Sequence, residues 1–95
     1  MRYKKRDIDQ GYMNFRNRVL KRDKRKCKMP GCKKGGYGME VHHIRPYAKH
    51  PSIRTDVDNG ITLCKVCHKS IRLYEELYAS LFDEIIKVQR ESKKK

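Results

Sequence analysis

The chain has 95 residues and a mass of 11.4 kDa, short of the ~100–150 residues of a typical domain, so it reads as one compact domain rather than a multidomain enzyme. Lys and Arg number 25 against 11 Asp and Glu, a formal charge of +14, while only 37% of residues are apolar and Trp is absent. That composition predicts a thin core in need of a staple, because burial alone hardly offsets the ~1–2 kcal/mol per residue of lost backbone freedom. No run reaches the roughly 18–20 apolar residues of a membrane span, and the charged start, Met1 to Arg6, has no apolar signal core. The reading is therefore a protein of the cytoplasm with reduced cysteines and no membrane partner.

Residues 1–34 hold 14 of the cations against three acids, a net of +11. A segment so charged points to a polyanionic partner, and a nucleic-acid phosphate backbone supplies one better than an anionic membrane, because the long amphipathic stretch near the C-terminus carries acids rather than a basic face. From about residue 9 to 24, Tyr12, Phe15 and Val19 recur at helical spacing, with Met13 and Leu20 beside them and Asp9 as a candidate cap. Arg16, Arg18, Lys21, Arg22 and Arg25 then form a basic ridge suited to phosphate binding.

Cys27 and Cys32 enclose the turn residues Pro30-Gly31, and Gly35, Gly36 and Gly38 continue the segment as a knuckle leading into a hairpin. Met39 to Ile44 has strand composition, with Val41 and His43 on one face and His42 and Ile44 on the other. Residues 45–58, with Pro46 and Pro51, form the longest irregular stretch, in which His50 reads as a packed or solvated residue. Asn59-Gly60 suits a type I′ turn before a second strand, Ile61 to Leu63. A helix is predicted from Cys64 to Leu73. A second runs from about residue 74 to 90, its stripe of Leu77, Leu81, Phe82, Ile85 and Val88 reading as core, and residues 91–95 read as a disordered tail.

Cys27 and Cys32 have four residues between them, Cys64 and Cys67 two, and 31 residues separate the pairs. Two short chelating pairs of this kind suit a tetrahedral zinc site of four thiolates. Four filled positions leave no room for substrate, so the zinc is structural, and the ~10 kcal/mol or more that such an ion adds compensates for the thin core. Cys64 to His68 also matches the C-x-x-C-H pattern of c-type haem attachment, but that reading requires export and leaves Cys27 and Cys32 unexplained. With the cysteines committed, His68 can face one of the strand histidines, giving two imidazoles for a second metal with open positions for water and phosphate. The other histidine is then free to act as a base, and the Asn59 amide could bond backbone across the loop.

Val41-His42-His43-Ile44, then Asn59 to Cys64, then Cys67-His68, with eight residues between Asn59 and His68, resembles the HNH endonuclease family in its four-cysteine variant. The likeness covers about residues 12–72 and is similar in particular to small bacteriophage HNH proteins, some of which act beside terminase in DNA packaging. It implies an α+β chain with a small, treble-clef-like ββα-metal fold and flanking helices. Activity would be metal-dependent cleavage of DNA, by nicking or double-strand breakage. By motif position the resemblance implies His42 and His68 as ligands of the catalytic ion, His43 as general base and Asn59 as the loop-orienting residue. Elsewhere in the family the two ligands are often Asp and Asn. Two imidazoles are softer, so Mn, Co, Ni or Zn competes better here against Mg. Arg45, on the His43 side of the strand, is a candidate phosphate clamp. The alternative is a zinc-stabilised nucleic-acid-binding module without catalysis, which would need none of these histidines.

Overall fold

The structure is a computed structural model that describes residues 10–45 and 55–93. The element order is helix α1 (Gln10–Arg22), strand β1 (Glu40–His43), a single 3₁₀ turn (Val57–Asn59), strand β2 (Gly60–Leu63), helix α2 (Lys65–Ser70) and helix α3 (Glu75–Lys93). Among the described residues no helix is long and apolar enough to cross a membrane.

The strands pair antiparallel in the register Glu40 to Leu63, Val41 to Thr62, His42 to Ile61 and His43 to Gly60. All four residues of β2 are buried, because helices cover both faces of this two-stranded sheet. Helix α1 turns Phe15, Val19 and Leu20 inward and lies over the face that carries His43 and Gly60. A Cβ on Gly60 would stand 2.7 Å from both Phe15 and Val19, so only glycine lets the helix approach this closely. Gly60 therefore serves close approach rather than a hairpin turn. Its φ of −122° is extended, and the expected type I′ turn is replaced by the 3₁₀ turn, in which Asp56 accepts a hydrogen bond from the Asp58 N–H.

Helices α2 and α3 close the opposite face, where Leu20, Ile44, Ile61, Leu63, Ile71, Phe82 and Ile86 form one buried cluster. The residues of α3 that turn inward are Phe82 and Ile86, with Tyr78, Ala79 and Ile85 half-buried beside them. The expected core stripe is thus largely wrong: Leu77 and Val88 are 77% and 52% exposed, and Leu81 is exposed as well. The reason is rotational, since a helix rich in apolar residues offers two adjacent stripes and sequence periodicity does not choose between them. Helix α3 also runs to Lys93 rather than ending near residue 90. Asp9, residues 46–54 with His50, and the last two lysines lie outside the described residues.

At the end of α1, Lys24 and Arg25 take positive φ values of 56° and 55°, an unusual run for residues with side chains. The Arg25 N–H donates to Leu20 O at 2.9 Å and the Cys27 N–H to Lys34 O at 2.8 Å, so this reversal carries the chain directly into the cysteine knuckle. Asp23, 2% exposed, anchors the junction. Its carboxylate accepts from Arg22 Nε at 2.8 Å, Arg22 Nη2 at 2.9 Å, the Thr62 N–H at 3.0 Å and Gln89 Nε2 at 3.2 Å, joining α1, β2 and α3.

Burial by itself would raise the Asp23 pKa, but the Arg22 guanidinium with the Gln89 and Thr62 donors holds it below its ordinary value of 3.8. A depressed carboxylate stabilises the fold above its unfolded pKa, so the contribution is complete at neutral pH. Asp23→Ala is expected to cost about 3–5 kcal/mol at pH 7, because it strands Arg22 without its counter-charge. Chemical denaturation of the zinc-loaded protein measures this, and a loss below about 1 kcal/mol would contradict the assignment.

Candidate functional site

The four cysteines converge from both ends of the motif, their Sγ atoms all within 4.8 Å of one another. Cys32 and Cys64 sulfurs stand 3.9 Å apart, near the ~3.8 Å edge of a tetrahedron built on Zn–S bonds of ~2.3 Å. Burial pushes the Cys27 thiol up, and burial together with neighbouring sulfurs pushes Cys67 up. Cys64 is instead lowered to about 7, chiefly by its hydrogen bond from the Cys67 N–H. This cluster could hold a zinc ion, which would bind the sulfurs as thiolates.

Cys64 is also the N-cap of α2, its sulfur accepting the Cys67 N–H at 3.4 Å. One helical turn later stands His68, whose Nε2 lies 3.3 Å from His42 Nδ1. Two nitrogens each ~2.1 Å from one tetrahedral ion would be about 3.4 Å apart. On its other side His68 Nδ1 donates to Glu40 Oε1 at 2.7 Å, which fixes the tautomer and leaves the Nε2 lone pair aimed at His42. Sequence reasoning missed Glu40. The available signal was strand alternation, since Glu40 and His42 are two residues apart and share a face.

His42 is 4% exposed and packs edge-on against Phe82 at 5.7 Å, and its Nε2 has no hydrogen-bond partner among the described residues. His43 goes to the opposite face, half-buried, its ring stacked on Phe15 at 4.8 Å and Tyr12 at 6.3 Å. Asn59 is 5% exposed and clasps the strand end from below. Its Oδ1 accepts the Arg45 N–H at 2.8 Å, and its Nδ2 donates to Arg45 O at 3.3 Å. The structure therefore brings His42, His68 and Glu40 together on one face of the sheet, with His43 on the other face and Asn59 at the His43 end of the strands.

The basic residues divide unexpectedly. Arg22 does not join the outward ridge: its guanidinium donates to Val57 O and Gly60 O, both at 2.7 Å, as well as to Asp23. Arg45 is likewise engaged, in a bidentate pair with Asp83 at 3.1 and 2.7 Å. Arg18, Lys21 and Arg25 are exposed and Arg16 is half-buried. A second bank, absent from the sequence reading, is formed by Lys65, Lys69 and Arg72, which with Glu40 and His68 line an open pocket of about 540 Å³. Their spacing of four and three residues puts all three on one side of α2 and its exit.

Burial, and secondarily the charges of His68 and His43, lowers the His42 pKa to about 4. The imidazole is neutral at physiological pH and competent as a ligand. In the protein carrying only its thiolate-bound ion, the His42 ring signals in NMR are expected to stay constant from pH 7.5 to 5.5. An inflection near the ordinary value of 6.5 would contradict the burial argument.

The HNH endonuclease family model matches residues 25–72, just over half of the chain. No curated protein and no solved structure matches it. The matched segment runs from the knuckle through both strands to the end of α2 and contains every cysteine and all of His42, His43, Asn59 and His68. The chain belongs to the HNH endonuclease family.

Proposed function

We propose that the protein is a metal-dependent DNA endonuclease whose four cysteines bind structural zinc and whose His42 and His68 hold a catalytic divalent ion. The observation that carries this reading is the pair of facing nitrogens 3.3 Å apart, one of them oriented by Glu40. A proton shared between the two rings spans this distance as a hydrogen bond, and a divalent ion that displaced it would meet a lone pair from each imidazole, an arrangement for which a purely nucleic-acid-binding module has no use. When bound, the ion stabilises the extra negative charge on the phosphate and the departing oxygen.

The remaining work falls to side chains. His43 takes a proton at a ring nitrogen from the attacking water, its imidazole held in orientation by the stack on Phe15 and Tyr12. Asn59 fixes the backbone just beyond His43 by its two bonds to Arg45, so the base and the ligand pair keep their separation. Lys65, Lys69 and Arg72 on one side and the cations of α1 on the other bind backbone phosphates. Such contacts position the duplex without reading its sequence, so cleavage has low sequence specificity. The likeness to small bacteriophage HNH proteins extends the proposal to cutting beside a packaging terminase.

Nicking of supercoiled plasmid tests the reading. Cutting is expected with Mn²⁺ or Ni²⁺ and more weakly with Mg²⁺, and His43→Ala should lower the rate about 10²–10⁴-fold with zinc content unchanged and a melting temperature lowered by only a few degrees through the lost ring contacts. Glu40→Ala should raise the Mn²⁺ concentration for half-maximal cutting about 10–100-fold. Tight, salt-sensitive DNA binding by both wild type and His43→Ala without cutting would replace this reading with the non-catalytic module.

A further inference from the structure

The knuckle carries charge and one aromatic ring that neither the metal sites nor the core uses. Residues 24–39 contain Lys24, Arg25, Lys26, Lys28, Lys33 and Lys34 and no acid, and all of these cations but Lys28 are exposed. Within the same run Tyr37 is 94% exposed, more than any other large hydrophobic residue among those described.

Backbone geometry holds that ring out. Gly36 and Gly38, on either side of it, have φ of 94° and 86°, and a Cβ at either would meet nothing within 4 Å, so these glycines serve the left-handed turn and not close packing. The turn has a fixed base. The Cys27 N–H donates to Lys34 O at 2.8 Å and the Gly36 N–H to Arg25 O at 3.0 Å, Lys26 pairs with Gly35 in an antiparallel bridge, and Cys27 and Cys32 belong to the sulfur cluster. A ring presented in this way gives up little freedom when it meets a ligand.

The cations supply a track to the tip. Lys24, Lys26 and Lys28, at alternate positions, line one groove of about 370 Å³ against α3, and the carboxylate that borders it, Asp23, is already paired with Arg22. Lys33 and Lys34 lead into the turn itself. Lysines in a row beside an exposed ring suit a strand whose phosphates follow the charge while a base stacks on the ring. Tyrosine also selects the state of that base. A wedge driven into a duplex is apolar, and a phenol there would bury its hydroxyl unbonded between base pairs, whereas a ring stacked on a free base keeps the hydroxyl at its edge in water.

We infer that Tyr37 is a stacking platform for an unpaired base of bound DNA, with Lys24, Lys26 and Lys28 holding the adjoining phosphates. The inference rests on the nucleic-acid half of the proposed function and not on cleavage. Tyr37 precedes Glu40, the partner of His68, by three residues, a span of at most about 11 Å or some three base steps of ~3.4 Å. One strand can reach both, and the consequence for a nuclease is a preference for frayed, gapped or branched DNA over intact duplex.

Fluorescence anisotropy of the zinc-loaded protein without added Mn²⁺ is the test, on a labelled strand of about 16 nucleotides that does not self-pair and on its blunt, G·C-ended duplex. Tyr37→Ala is expected to weaken binding of the single strand about 5–150-fold and of the duplex no more than about twofold. Zinc content and melting temperature should not change, because the side chain lies outside the core. Tyr37→Phe should bind like wild type, and Tyr37→Leu, apolar but without a π-face, should fall with Tyr37→Ala. Lys26→Gln should weaken both DNAs alike and lower the salt slope by about one. Equal losses on strand and duplex from Tyr37→Ala would overturn the unpaired-base assignment, and no loss on either, or full binding by Tyr37→Leu, would overturn stacking. A wild type that binds neither DNA fails the nucleic-acid reading itself. Stacking as described with plasmid never cut leaves the inference standing and fails the nuclease reading alone.

Discussion

Four sulfur atoms within 4.8 Å of one another are the constraint on which the rest of the molecule depends. They join a knuckle built between Cys27 and Cys32 to the start of α2, which follows β2 after a single residue, Cys64. Because Cys64 caps that helix, and the His68 N–H bonds Cys64 O at 2.9 Å, the cluster fixes where His68 stands relative to the strand. The sheet has only two strands and the core only a handful of large side chains. A cross-link at the cysteines adds to the bonds that Asp23 and Lys28 make to Thr62 in holding the beginning of the motif against its end.

The strands perform a second division. Alternation sends His42 toward α2 and α3, where Phe82 and burial keep it neutral, and sends His43 toward α1, where Phe15 and Tyr12 support its ring. Adjacent residues therefore acquire different environments at no cost in sequence length. Gly60, opposite His43, keeps that face thin enough for α1 to reach the imidazole. The buried and half-buried acids are mostly consumed in the scaffold: Asp23 by Arg22 and Gln89, Asp83 by Arg45, Asp58 by Arg90. Among the cations left outward are Arg18 and Lys21 of α1, the helix over the His43 face, and Lys65, Lys69 and Arg72 beside His68.

Much of this was legible in the chain because the information was local. Cysteine spacing gave the cluster, period-two alternation separated His42 from His43, and turn residues delimited the knuckle. Asn59 was legible as a bond across the loop because its amide can serve a donor and an acceptor at once. What escaped depended on distant partners. Arg22 looks like any other member of a basic ridge until Val57 and Gly60, 35 and 38 residues away, present their carbonyls. Arg45 reads as a free clamp until α3 places Asp83 beside it. The two apolar stripes of α3 are equivalent by periodicity, and only the packing of Phe82 and Ile86 into the sheet decides which turns outward. Glu40 was in plain view on the His42 face, but its role becomes visible only with His68 across from it.

The most direct test of the account is a crystal structure of the zinc-loaded protein soaked in Mn²⁺, with anomalous scattering recorded to distinguish the two metals. The account predicts zinc among the four sulfurs and manganese bound by both His42 Nδ1 and His68 Nε2, at roughly 2.2 Å from each, with Glu40 still bonded to His68 Nδ1. Manganese bound elsewhere with the two imidazoles still in direct contact, or an absence of zinc at the thiolates, would contradict it.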